Sequence, residues 1–155
     1  MDDAFHPLRD DTTLDDVRET FALLDSWEDR FAYLIELGRK LPSLPPDAYT
    51  DAFRVKGCTS KVWLVPERLD DGRLVFRGDS DAHLVKGLVA LMLLIFSGRH
   101  PAEILATDAK AILAELDLEQ HLSPMRANGL NAMLKRIREL AAAASDAPQA
   151  AGAAG

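Results

Sequence analysis

A chain of 155 residues that is 48% apolar and 28% charged has the make-up of one globular domain, able to bury about two-thirds of the surface it exposes unfolded. Its formal charge of −7 argues against nonspecific nucleic-acid binding as the main task. One cysteine in the whole chain excludes an internal disulfide, and Met1-Asp2-Asp3-Ala4-Phe5 is acidic without an apolar core, so no export signal is expected and the expected compartment is the reducing cytoplasm.

Residues 1–11 are polar, acidic and aperiodic, and read as a loose arm. Thr12 or Thr13 then caps a first helix, each with an aspartate three residues on (Asp15, Asp16), as in a capping box. Leu14, Val17, Phe21 and Leu24 follow at helical spacing. Ser26 restarts the pattern, with Trp27, Phe31, Leu34 and Ile35 along one stripe. Pro42, Pro45 and Pro46 end that second helix, because proline has no N–H to give and clashes with the turn before it.

Gly57 can take dihedrals closed to other residues, so a sharp turn is expected just before Cys58. Lys61 to Arg68 reads as a strand, with Val62 and Leu64 on one face and Trp63 and Val65 on the other. Asp71-Gly72 signals a hairpin, and Arg73 to Arg77 pairs back. Segment 52–56 adds a third antiparallel strand on this reading, which puts Cys58 in the tight connection at one end of a small sheet.

Ser80 is expected to open a third helix, with Asp79 and Asp81 near its positive end. Leu88 to Phe96 is apolar on every face. It is about half a membrane span in length, so it reads as a buried central helix and no membrane role is expected. Gly98 suits a C-cap, Pro101 a short helix, and Thr107-Asp108 the cap of another reaching Leu116. Ser123-Pro124 opens a last helix with the stripe Leu130, Met133, Leu134, Ile137 and Leu140. From Ala141 the Ala-, Gly- and Ser-rich chain is expected to fray. Helices, then a small sheet of about three strands, then helices: the order predicts an α+β fold, one domain over 12–143 with flexible arms at 1–11 and 144–155.

The histidines, His6, His83, His100 and His121, lack paired metal-ligand spacing, and a lone cysteine cannot hold an iron–sulfur cluster without other chains. Neither a phosphate-binding loop nor a Gly-x-Ser-x-Gly elbow is present, and no carboxylate pair stands out as acid and base. The remaining chemistry is at Cys58. Its surroundings alone allow two readings: a small buried hydrophobe, or a nucleophile. Three features favour the second. Gly57 implies a special turn, Lys56 and Lys61 add positive charge that favours a thiolate, and Thr59 and Ser60 make the setting polar. A histidine acting as base to this thiol stays open as a further alternative, as does a cluster-binding module shared between subunits.

Gly57-Cys58-Thr59-Ser60-Lys61-Val62-Trp63 closely resembles the Gly-Cys-x-Ser-x-Val-Trp signature of SufE-like proteins, the sulfur acceptors of cysteine desulfurases. Arg30 to Pro42 resembles the family's helix before the active loop. Gly78-Asp79-Ser80-Asp81-Ala82, with Val85-Lys86-Gly87-Leu88, is similar to the start of its central helix, and Gln120 to Leu130 to its C-terminal signature. The likeness covers residues 14–140, with the four motifs in order. Thr59 stands where glutamine is common, and Met125 where a small residue is.

The resemblance implies a fold of the SufE/IscU type and a task. Cys58 would take persulfide sulfur from a pyridoxal-phosphate-dependent desulfurase, stimulate that enzyme, and pass the sulfur to a cluster-assembly scaffold complex. It implies no cofactor on this chain, the pyridoxal phosphate being the partner's. Gly57, Lys56, Ser60, Lys61, Asp79 and Arg126 are implied as loop supports or partner contacts. Helix capping explains Asp79 equally well, and a first-turn charge explains Arg126, although an arginine there opposes the dipole. Monomer and homodimer both remain open.

Overall fold

The computed structural model describes residues 6–146; the rest of both expected arms, 1–5 and 147–155, lies outside the described residues. Helix α1 (Leu14–Leu23) is capped by Thr13, whose hydroxyl accepts from Asp16 N–H while the Asp16 carboxylate accepts from Thr13 N–H. That reciprocal pair satisfies two donors a helix start leaves orphaned, and it selects Thr13 over Thr12. Helix α2 (Trp27–Arg39) is capped by Ser26. Two short 3-10 turns, Pro46–Ala48 and Asp51–Phe53, then bring the chain to the sheet.

Strands β1 (Val62–Arg68) and β2 (Leu74–Ser80) pair antiparallel, with Val62 opposite Ser80 and Arg68 opposite Leu74. Among the described residues the sheet has two strands, not about three. Segment 52–56 joins it through one bridge, Arg54 to Trp63, because the 3-10 turn at Asp51–Phe53 occupies the residues that would have extended the ladder. On the other edge Leu74 exchanges hydrogen bonds with Gly98 and Arg99.

Helix α3 spans His83–Phe96 and starts three residues later than expected. Ser80 belongs to β2, where pairing with Val62 outweighs its capping tendency. The helix is central as expected: Leu88 through Leu93, Ile95 and Phe96 are all fully buried. It can approach its neighbours because glycines sit at the crossings. A Cβ on Gly87 would lie 2.6 Å from the Leu34 carbonyl carbon, one on Gly38 2.6 Å from Gly87 N, and one on Gly78 2.7 Å from Val89 Cγ1. Helices α2 and α3 and strand β2 are therefore packed at very close range.

Helices α4 (Pro101–Ala106) and α5 (Ala109–Glu115, capped by Asp108) lead to α6 (Pro124–Asp146). Its stripe packs as read, with Leu130, Met133, Leu134 and Ile137 buried. The helix continues past Ala141, which is itself fully buried, and Ala144 O accepts from the Arg68 guanidinium; this contact and alanine's helix propensity outweigh the fraying expected there. At the other end Leu8 is buried and Arg9 N–H donates to Lys40 O at 2.7 Å, so the chain is fastened within the stretch that reads as loose. No helix among the described residues is long and apolar enough to cross a membrane.

Candidate functional site around Cys58

Cys58 stands at the crown of the loop above the Arg54–Trp63 bridge. Val55 N–H donates to Val62 O at 2.8 Å and closes the loop at its base. Gly57 adopts φ +91°, a left-handed conformation costly for any residue with a Cβ, and this produces the expected turn. The far side is fastened by a reciprocal clasp: Lys61 N–H donates to the Asp81 carboxylate at 3.0 Å, and Asp81 N–H donates to Lys61 O at 3.2 Å. Asp81 is thus a loop fastener rather than a helix cap.

The thiol points toward α6. Cys58 is half-buried, and its S–H donates to Gly129 O at 3.5 Å. Beside it lies a cavity of about 210 Å³ bounded by Ser60, Val85, Leu88, Arg126 and Met133. Its walls are mainly apolar on the α3 side, with Ser60, Ser123 and Arg126 at the polar side. Burial pushes the Cys58 thiol up from its ordinary value, and the positive charge of Arg54 opposes this without reversing it. The hydrogen bond agrees with that direction, since only a protonated sulfur can donate to a carbonyl.

The resting site therefore differs from the lysine-activated thiolate expected from sequence. Lys56 and Lys61 are exposed, where water screens their charge, and the cation that acts on the sulfur is Arg54. Among the described residues Sγ is hydrogen-bonded to a backbone carbonyl, not to the hydroxyls of Thr59 or Ser60. No histidine is among the described residues bounding the cavity. No three His, Cys, Asp or Glu side chains among the described residues gather as a metal site.

Of the other residues singled out, Ser60 and Arg126 do reach the Cys58 cavity. Arg126 is exposed and its side chain has no hydrogen bond or ion pair among the described residues. Asp79 lies elsewhere, buried in β2, and caps no helix. It accepts the Tyr49 hydroxyl at 2.6 Å and Ser80 N–H at 2.8 Å, and pairs with Lys86 at 3.3 Å. Tyr49 in turn meets Trp63 edge-on at 4.9 Å, so Asp79 braces the chain leading into the loop. Arg54 and Gly129 were missed by sequence reasoning. Arg54 faces Trp63 across the loop base, a pairing visible only if the loop is drawn as a hairpin; Gly129 falls within the signature-like stretch Gln120 to Leu130, but nothing in the sequence links it to Cys58, 71 residues away.

Known proteins resemble this chain over most of its length. It is 48% identical over 130 residues to an uncharacterised SufE-like protein of Rhizobium meliloti, covering 82% of this chain and 93% of that one. It is 39% identical over 134 residues to the sulfur acceptor protein CsdE of Escherichia coli K12, covering 86% and 91%. The solution structure of a hypothetical protein from Thermus thermophilus superposes with a TM-score of 0.68 over 86% of this chain and 96% of that one, at 24% identity, a likeness of fold alone. Residues 15–141 match the SufE family, described as the Fe-S metabolism associated domain, and with the α+β fold and those relatives the chain belongs to the SufE family.

Proposed function

We propose that this protein is a sulfur acceptor in iron–sulfur metabolism and that Cys58 carries the sulfur. The observation that carries the reading is the placement of the lone cysteine: crown of a fastened loop, sulfur beside a cavity it does not fill. A water molecule's share of liquid volume is about 30 Å³, so a cavity of about 210 Å³ leaves room for one more sulfur atom. Membership of the family and the likeness to CsdE support the same task.

The donor is a cysteine desulfurase bearing a cysteine persulfide, and pyridoxal phosphate stays with that enzyme. The Cys58 thiolate attacks the outer sulfur of the donor persulfide. One S–S bond forms, the donor's S–S bond breaks, and the donor cysteine leaves as a thiolate that takes up a proton; no net oxidation or reduction occurs. Because burial holds the resting thiol protonated, docking must strip that proton or swing Cys58 away from Gly129. Gly57 supplies a pivot for the swing. Arg126, free of partners among the described residues and at the cavity's polar side, is placed to steady the charge on the sulfur. A chain with one cysteine cannot discharge its own persulfide as an internal disulfide, which suits a carrier that relieves the desulfurase of sulfur, so speeds its turnover, and delivers to a scaffold complex. A reducing, cytoplasmic setting fits this chemistry.

Intact mass after incubation with a desulfurase, pyridoxal phosphate and cysteine tests the reading. The expected result is a gain of one sulfur that a reductant removes and that Cys58→Ser lacks, with the variant's fold unchanged. A Cys58→Ser chain that still accepts sulfur, or stimulates the desulfurase fully, overturns it.

A further inference from the structure

This chain carries a formal charge of −7, yet one groove gathers cations. Arg54, Lys56, Lys135 and Arg136 line it with two carboxylates, Asp51 and Glu139, around a volume of about 320 Å³. Four cations against two carboxylates leave a local charge of +2. Arg136 is paired with Glu139 at 3.4 Å. The side chains of Arg54, Lys56 and Lys135 have neither hydrogen bond nor ion pair among the described residues, and Arg54 Nε is buried without a partner. With only Arg136 matched to a carboxylate, the positive charge of Arg54, Lys56 and Lys135 is left uncompensated in the groove, which therefore favours an incoming anion.

Its position gives the cluster a purpose. Ala132 lines the groove and is the residue a Cβ on Gly57 would meet, at 3.4 Å. Gly129, less than one turn earlier on α6, holds the Cys58 sulfur. The groove and the sulfur cavity thus occupy neighbouring stripes of α6, with the Gly57–Ala132 contact between them, and Arg54 acts on both. The cations come from two parts of the chain, Lys135 and Arg136 on α6 and Arg54 and Lys56 on the segment leading into the Cys58 loop. The groove therefore offers several separate positive heads and suits a segment bearing more than one acidic side chain.

We infer that this groove is the electrostatic half of the docking surface for the sulfur-donor protein, and that the donor presents an acidic segment to it beside its persulfide. The inference rests on the sulfur-acceptor reading of Cys58. In an acidic molecule, one positive groove next to the reactive loop orients an acidic partner before contact and repels it elsewhere, an effect that salt weakens.

The test is the affinity of the full chain for a cysteine desulfurase encoded in the same genome, for wild type, Lys135→Glu/Arg136→Glu and Glu139→Lys. Loading of Cys58 by inorganic polysulfide, which needs no partner, is measured alongside. The double reversal is expected to weaken binding tenfold or more at about 50 mM salt and far less at about 500 mM, while Glu139→Lys tightens it. Polysulfide loading should be unchanged in all of them. If the double variant melts early, Lys135→Glu alone carries the comparison, since Lys135 is exposed. Wild-type affinity in the reversals, or a loss indifferent to salt, overturns the inference. A wild-type chain that loads from polysulfide but not from the desulfurase overturns the reading beneath it instead.

Discussion

At the scale of single residues, burial and charge compete at one sulfur atom, and burial wins. Removing a thiolate from water costs more than one nearby guanidinium returns, so the Cys58 thiol sits above its ordinary value with Arg54 pulling the other way. Alkylation of the native protein by a small reagent, followed across pH by mass spectrometry, should show an inflection above that of an ordinary thiol. Arg54→Gln should move the inflection higher, whereas Lys56→Gln and Lys61→Gln should leave it in place. An inflection below the ordinary thiol value would mean the resting sulfur is already a thiolate and the docking step needs no deprotonation. The cysteine itself was legible, because a unique nucleophile after a glycine stands out in any sequence. Its electrostatic partner was not. Lys56 and Lys61 are near in sequence but turned to water, and Arg54 becomes a neighbour only when Val55 and Val62 close the loop.

At the scale of elements, most signals contained in a few consecutive residues read correctly. Thr13 with Asp16, Ser26 and Asp108 all begin helices where their chemistry says they should. Helix α3, by contrast, is capped by Ser97, and Gly98, expected as its C-cap, turns at φ +86° and gives its N–H to Leu74 O at the sheet edge. The junction of β2 and α3 also departs from its local signals, because Ser80 and Asp79 are claimed by partners from afar: Val62 across the sheet, and Tyr49, 30 residues away. What no local signal reveals is the crossing at Gly87. A Cβ there would fall 2.1 Å from Leu34 O, and backbone cannot yield as a side-chain tip can. Gly87→Ala should therefore cost about 3 kcal/mol or more despite alanine's better helix propensity, read as a lower midpoint in urea. Gly98→Ala is the contrast: its Cβ meets nothing within 4 Å, and only the positive φ penalises it, by about 1 kcal/mol. Equal midpoints for the two variants would mean that α2 and α3 can slide apart freely.

At the scale of the whole molecule, the N-terminal strap fastens the start of the chain to the end of α2. Arg9 donates to the Arg39 and Lys40 carbonyls. Lys40 Nζ reaches both the Asp10 carboxylate at 2.9 Å and the Thr12 hydroxyl at 3.0 Å. Asp10 also accepts from the Thr12 hydroxyl and N–H, and these bonds, with Lys40 behind them, draw its pKa from 3.8 to about 2. A carboxylate whose folded pKa lies below its unfolded one stabilises in full above the unfolded value, and that contribution is lost as pH falls toward the folded value. Asp10→Asn keeps the shape and removes the charge. Wild type should melt above the variant at pH 6, by a small margin because the pair is solvent-screened. The gap should close between about pH 4 and pH 2, as proton uptake by Asp10 cancels the difference. Melting followed by circular dichroism across that range checks it. No gap at pH 6 would show the strap is held by shape and backbone bonds alone. A gap that persists unchanged at pH 2 would show that its source is not the charge of Asp10 and that the acid limb of this protein's stability originates in other carboxylates.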